Sequence, residues 1–343
     1  MEARIASASG IQFAAIKAGK FRRLTDASVA NKLFNPATLG LNIRDAVRVL
    51  AGVVGSLAIL RKFKPDVVFV KGGYVGLPVG IAAKIMRIPL VIHESDVSPG
   101  LTNRTLGRWA KTVAVGFPEK NYPNFPASSL LYTGNLVRKE LLKAHRLEGL
   151  AEFKLDDDLP VVLVTGGSQG AQVINNTILE ALPELVQFCQ IIHLTGENEM
   201  PRVEYELRQY GKFEHRDRYH PYAFLMTGMG NAMAAADLVV GRAGANTIAE
   251  VAALGKPTIL IPIYLMAGHQ VENARMLSRL GAARVLDETK LTSQRLVGEI
   301  KAILGSETEQ ASLSKAILKF STPDAPGVLA EAIMAAGEGR DRT

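Results

Sequence analysis

Cysteine is almost missing from this chain: Cys189 is the only one among 343 residues. A single thiol excludes an intramolecular disulfide framework and fits a reducing compartment. Aromatic residues are also scarce, at 6% with one tryptophan. The basic stretches carry no interleaved aromatic rings on which bases could stack, so no nucleic acid is expected as a partner. Long hydrophobic runs are absent as well. The longest, Val49–Leu60, has 12 residues, short of the roughly 18 that a membrane-spanning helix needs. A soluble or peripheral protein is expected. The opening residues show no short basic stretch followed by an apolar core and a small-residue cleavage site, the pattern of a secretory leader. Several catalytic signatures are lacking too. There is no H-E-x-x-H and no histidine near His93 in sequence, so no metal is expected. Without a G-x-S-x-G elbow or a Walker loop, hydrolase and kinase readings have no support.

What is present is a globular composition, 48% hydrophobic and 21% charged, in a chain long enough for two domains. The charge is unevenly placed. Residues 1–140 carry 20 Lys+Arg against 8 Asp+Glu, a net of +12, whereas residues 141–343 carry 20 against 25, a net of −5. A basic N-terminal half attracts anionic partners such as lipid headgroups or phosphates, unless the charge only solubilises the surface.

Apolar runs of strand length alternate with helical patterns almost throughout. Strands are predicted at Asp66–Val70, Leu90–Glu94, Thr112–Phe117, Leu131–Asn135, Val161–Thr165, Ile191–Thr195, Leu238–Gly241 and Thr258–Ile263. Helices are predicted at Gly76–Arg87, Pro99–Ala110, Ala171–Val186, Met200–Tyr210, Asn246–Leu254 and His269–Leu280. This alternation implies an α/β chain with parallel sheets and right-handed crossovers. The polar stretch "RLEGLAEFKLDDD" (146–158) breaks the pattern and reads as a linker. The expected organisation is an N-terminal Rossmann-like domain over 1–145, the linker, a C-terminal Rossmann-like domain over 159–323, and a helix with a tail over 324–343. A cleft is expected between the two domains.

Four stretches carry chemistry. "VVLVTGGSQGAQVINN" runs strand, glycine-rich turn, helix. Gly166, Gly167 and Gly170 allow close approach of a ligand, Ser168 offers a hydroxyl, and the helix N-terminus offers free N–H groups. G-G-S-Q-G-A departs from the dinucleotide fingerprint G-x-G-x-x-G, so a phosphate or diphosphate site is favoured over an NAD site, with a plain βα turn as the alternative. "DLVVGRAGANTIAEVAALGKP" repeats the design, with Ala245 and Asn246 opening the helix. Glu250 lies one turn in, on the face of Asn246 and opposite Ile248. It suits either a ribose diol or a dipole-stabilised surface position. Arg242 suits an anionic ligand or a structural salt bridge. "PIYLMAGHQVENA" sets His269, Gln270 and Asn273 at the next helix start, where amides suit sugar hydroxyls. "VIHESDVSPGLTNR" places His93, Glu94 and Asp96 directly after a buried strand, three ionisable groups that folding alone explains poorly. "VKGGYVGLP" and "YTGNLVRKE" likewise follow strands with glycine turns, and Arg138 suits a diphosphate clamp.

Taken in order, these stretches resemble the MurG family of inverting glycosyltransferases. The matching segments are Gly72-Gly73-Tyr74-Val75, His93–Asp96 with Pro99–Asn103, Gly134–Arg138, Gly166–Asn175, Arg242–Glu250 and Gln270–Ala274. "PDAPGVLAEAI" resembles the family's last helix, so the likeness covers essentially the whole chain. It implies a GT-B fold, two Rossmann-like domains facing across a cleft, with the last helix packing back on the N-terminal domain. The implied reaction moves N-acetylglucosamine from UDP-N-acetylglucosamine to lipid I, giving lipid II for peptidoglycan, with no cofactor. A catalytically inactive UDP-sugar-binding remnant is the alternative from another class, and a sugar-nucleotide epimerase of similar fold is the alternative enzyme.

By the resemblance, Glu250 would bind the ribose and the main chain near Met226 the uracil. Ser168 with the Ala245–Thr247 turn would bind the diphosphate, and Ile248 and Ala249 would belong to the substrate-binding set. Gln270 and Asp96 would face the sugar, Arg138 would edge the site, Asn103, Asn175 and Arg242 would join the substrate-binding set, and Tyr74 would lie on the acceptor side. His93 and Glu94 are the catalytic candidates within the chain. The family's opening strand and G-G-T-G-G-H turn, expected to hold the general base, would precede "MEARIASASGIQF". The protein is then expected on the cytoplasmic face of the cell membrane, docked on anionic lipid through "IKAGKFRRL" and Val49–Leu60, and within reach of a cell-wall synthesis complex. Asp96 stands where many members have Asn, and Leu136 replaces the proline of G-N-P-V-R.

Overall fold

The computed structural model describes residues 6, 9–19, 36–167, 170–211, 213–264 and 268–338. Ser168 and most of "IKAGKFRRL" lie outside them, as do Met1–Ile5. The chain divides into two compact units. One is made of residues 1–94, 99–132 and 327–343, the other of residues 95–98 and 133–326.

The first unit opens with the long helix α1 (Pro36–Phe63), followed by β1 (Val68–Val70), α2 (Gly76–Ile85), β2 (Leu90–Glu94), α3 (Leu101–Leu106), β3 (Thr112–Val115) and β4 (Leu130–Tyr132). Among the described residues its four strands are all parallel and lie in chain order, β1-β2-β3-β4. Every residue of β2 is buried, as a parallel strand covered on both faces requires. On α1 the buried positions Asp45, Val49, Val53, Ser56 and Leu60 recur three or four apart and form one stripe. Gly80 lets α2 approach α3, since a Cβ there would collide with the Leu106 side chain.

The second unit contains α4 (Lys139–Leu142), α5 (Arg146–Phe153), β5 (Val161–Thr165), α6 (Gln172–Leu185), β6 (Gln190–Leu194), α7 (Met200–Gln209), β7 (Tyr219–Tyr222) and α8 (Met229–Ala235). It continues through β8 (Leu238–Gly241), α9 (Ala245–Ala253), β9 (Thr258–Leu260), α10 (His269–Arg279), β10 (Arg284–Val285), α11 (Ser293–Leu304) and α12 (Glu307–Ile317). The sheet order is β10-β9-β8-β5-β6-β7, all parallel. The first strand is therefore central and the strand order reverses between β5 and β8, which makes the C-terminal ends of those two strands the topological switch point. Val162, Val164, Ile174, Ile178, Leu238 and Val240 belong to the core beneath it. The final helix α13 (Ala325–Glu338) has most of its length in the first unit. There Lys111 Nζ donates to the carbonyls of Ala335 (3.5 Å) and Ala336 (3.2 Å), a cation at a helix C-terminus.

Several elements differ from the sequence expectation, among them the helices α1, α4, α8, α11 and α12, which were not predicted. The stretch at 146–153, expected to be linker, forms α5. Leu150 and Phe153 are buried, and Arg146 Nη1 donates to the Ala235 carbonyl at 2.7 Å and to Asp237 Oδ1 at 2.8 Å. The edge strands β7 and β10 were not foreseen, because "YHPY" contains a proline and neither presents an apolar run.

Candidate functional site

At the switch point two strand–turn–helix units stand side by side. Thr165 of β5 pairs with Gly241 of β8, so the turns that follow start level. After β5, Gly167 (φ 82°) and Gly170 (φ 76°) occupy the left-handed region, which glycine adopts without strain. A Cβ on Gly170 would overlap the Thr195 carbonyl oxygen, and one on Gly166 would overlap the Ala171 nitrogen. The turn therefore needs hydrogen at both positions. The residues that precede α6 and α9, Ala171 and Gly244, form no side-chain cap. Among the described residues no side chain accepts from the first N–H groups of either helix, which leaves them to an anion with the helix dipole behind them.

On α9, Ala245, Ile248 and Ala249 are buried, while Asn246 is exposed and Thr247 is half-buried. The first two turns thus present backbone and small polar groups rather than bulk. Glu250 accepts a hydrogen bond from Arg138 Nη2 at 3.0 Å, with side-chain exposures of 15% and 51%. The two residues assigned from sequence to a ribose and to a diphosphate are therefore within reach of one another in the second unit. Gln270 Oε1 accepts from the Ile263 N–H at 3.2 Å, at the start of α10. Asn273 is fully buried, accepts from Val97 N–H at 2.9 Å, and donates to Asp96 Oδ1 at 2.8 Å and to the Ala243 carbonyl at 3.1 Å. It ties Asp96 to the loop after β8. His269 Nδ1 lies 2.7 Å from the Ser98 carbonyl. Met226 is 89% exposed, as a residue offering its main chain to a planar base would be. The Leu136 loop is anchored on either side, by Asn135 Nδ2 donating to the Ser95 carbonyl at 2.9 Å and by buried Val137.

Five residues expected at the site make hydrogen bonds within the fold. Arg242 Nη1 donates to the Ile261 carbonyl at 3.0 Å, and its Nη2 pairs with Glu288. This is the salt-bridge option, and it fixes the loop after β8 to the end of β9. Asn175 is fully buried, donating from Nδ2 to the Thr195 carbonyl at 2.9 Å with its Oδ1 3.0 Å from His193 Nε2. It braces the glycine turn from below. In the first unit His93 and Glu94 are both buried. Glu94 Oε2 accepts from the Gly100 N–H at 2.9 Å and from Asn103 Nδ2 at 3.0 Å, and that same amide donates to the His93 carbonyl at 3.0 Å. Glu94 and Asn103 thus join the end of β2 to the start of α3, and His93 lies within the sheet. Tyr74 is half-exposed after the Gly72-Gly73 turn, where both glycines have positive φ.

Sequence reading overlooked His193. It stands in the middle of an apolar strand, and neither spacing nor a motif marks it.

Profiles of two domains match this chain in order. The glycosyltransferase family 28 N-terminal domain matches residues 1–115, spanning Tyr74, His93–Asp96 and Asn103. The family 28 C-terminal domain matches residues 161–326, spanning both glycine turns, Glu250 and Gln270. A relative from Bacillus pumilus is 36% identical over 327 residues, covering 95% of this chain and 85% of its own length. It is named UDP-N-acetylglucosamine--N-acetylmuramyl-(pentapeptide) pyrophosphoryl-undecaprenol N-acetylglucosamine transferase. The crystal structure of Acinetobacter baumannii MurG superposes with a TM-score of 0.72 at 25% identity, covering 98% of this chain and 88% of that one.

The chain belongs to the MurG family. Its two α/β units are those of the GT-B fold. A UDP-N-acetylglucosamine 2-epimerase from Neisseria meningitidis, bound to UDP-N-acetylglucosamine, superposes with a TM-score of 0.62 at 14% identity over 84% of this chain and 81% of that one. At that identity it shows the shared fold alone. Family membership therefore separates the glycosyltransferase from the epimerase reading, which architecture could not.

Proposed function

We propose that this chain is an N-acetylglucosaminyltransferase that moves N-acetylglucosamine from UDP-N-acetylglucosamine to lipid I, giving lipid II. The observation that carries the nucleotide site is the pair of uncapped helix N-termini at the switch point, with a carboxylate on the second helix. The N–H groups at the starts of α6 and α9 receive the diphosphate. They stabilise it more as charge builds on the departing UDP, and this is where such a site lowers the barrier. Glu250 accepts the ribose hydroxyls, the main chain near Met226 takes the uracil, and Gln270 with Asp96 faces the sugar. Arg138 moves from Glu250 to the diphosphate, for which its forked guanidinium is suited.

The acceptor is a lipid, and α1 offers a surface for the membrane that holds it. Val47, Leu50 and Val54 are exposed at 58%, 67% and 68%. They recur three and four apart, opposite the buried stripe, beside Arg44 and Arg48. An apolar stripe flanked by cations is the pattern of a helix lying in an anionic interface. Peripheral attachment to the inner surface of the cell membrane follows. No helix among the described residues is long and apolar enough to cross a membrane.

The nucleotide assignment is tested by Glu250→Ala. Removing a partly buried charged acceptor is expected to weaken UDP-N-acetylglucosamine binding by about 1–3 kcal/mol. Unchanged affinity by calorimetry overturns the ribose assignment.

A further inference from the structure

The second unit contains a buried polar relay that the proposed reaction does not use. His193 is fully buried in β6, with Nδ1 2.8 Å from the Tyr219 hydroxyl of β7 and Nε2 3.0 Å from Asn175 Oδ1 on α6. Asn175 Nδ2 donates to the Thr195 carbonyl at 2.9 Å. The polarity of this chain of bonds follows from its last member. A carbonyl only accepts, so the amide N–H of Asn175 faces Thr195 and its oxygen faces the ring. That oxygen also only accepts, so Nε2 carries the proton. Burial lowers the His193 pKa to about 3, so the ring is neutral and Nδ1 is bare. Tyr219 therefore donates to it. Donation runs one way, from Tyr219 through His193 and Asn175 to the Thr195 carbonyl.

That carbonyl is the oxygen against which Gly170 packs, and a Cβ on Gly170 would overlap it. The relay thus ends at the floor of the glycine turn, directly below the start of α6. Apolar side chains of similar size would fill the same space without the cost of burying three polar side chains. What a directional network adds is one fixed arrangement.

We propose that His193 and Tyr219 are positioning residues for the nucleotide-sugar. Through Asn175 and the Thr195 carbonyl they hold Gly170, and with it the start of α6, where the first N–H groups of that helix meet the diphosphate. This inference rests on the reading that the turn receives the diphosphate.

Tyr219→Phe removes one hydroxyl and keeps the ring. It is expected to raise KM for UDP-N-acetylglucosamine about three- to tenfold, the equivalent of one hydrogen bond, with kcat and the KM for lipid I within about twofold. By calorimetry UDP binding weakens by the same factor, while uridine, which has no diphosphate, binds as before. His193→Gln can still accept from Tyr219 and donate to Asn175, so it retains near-normal donor KM, whereas His193→Leu behaves like Tyr219→Phe. Should His193→Leu fail to fold, Tyr219→Phe against His193→Gln still decides. Equal weakening of UDP and uridine means a merely structural role and overturns the proposal, as does unchanged binding of both. Glu250→Ala, measured alongside, separates the two levels. If it alone weakens UDP, the nucleotide site stands and the positioning role falls. If neither variant weakens UDP, the site reading has failed and the inference falls with it.

Discussion

A buried imidazole has a consequence that can be read without substrate. His193 stays neutral in the folded state because burial lowers its pKa from 6.5 to about 3, whereas the unfolded chain lets it titrate normally. Below pH 6.5 the unfolded state therefore takes up a proton that the folded state refuses, and stability falls as pH drops from 6.5 toward 3. Above pH 6.5 this residue contributes no slope. Between pH 7.5 and pH 5 the wild type is expected to lose about 2 kcal/mol more unfolding free energy than His193→Gln, whose side chain does not titrate. Urea titrations of both proteins at the two pH values measure this difference, and the carboxylates common to both cancel. Parallel losses would mean that the ring takes up a proton in the folded state.

At the scale of elements, the parts that were legible in the sequence are those whose pattern is local. Strands β2, β5 and β8 are short, built on apolar runs and fully buried, and their composition alone gave their limits. The glycine turn after β5 was legible because glycine is required where φ is positive or another backbone comes close. What stayed hidden depends on partners distant in sequence. The first turns of α5 read as linker because Arg146 counts as polar, yet its charge is absorbed by Asp237 and the end of α8. Arg242, Asn175 and Glu94 have the residue types of a binding site, and only the fold shows which neighbouring backbone and side-chain groups they meet. The glycine turn itself gives a prediction at this scale. Gly170→Ala places a Cβ in left-handed backbone and against the Thr195 carbonyl. Strain of that kind costs on the order of 1–3 kcal/mol. The substitution should therefore lower the urea midpoint and weaken UDP more than uridine. A variant as stable as the wild type, with unchanged UDP affinity, would show that the turn tolerates a side chain and does not hold the diphosphate closely.

For the whole molecule the uneven charge matters most. The first 140 residues, with 20 Lys+Arg against 8 Asp+Glu, include the helix whose exposed stripe is Val47, Leu50 and Val54. Electrostatic attraction brings such a half toward an anionic bilayer, and the apolar stripe retains it there. The two contributions separate experimentally. Raising salt from 0.1 M to 1 M shortens the Debye length from about 10 Å to about 3 Å, so binding to vesicles of mixed anionic and neutral lipid should fall steeply while the apolar part remains. Replacing Leu50 and Val54 together by glutamate removes apolar area and adds repulsion. Each exposed side chain that enters the interface is worth a large share of the roughly 1.5–3 kcal/mol for full burial, so partitioning should drop at least about tenfold. Soluble UDP binding, proposed for the other unit, should be unchanged by the double substitution. Sedimentation with vesicles that is insensitive to both salt and substitution would place the membrane contact elsewhere on the molecule.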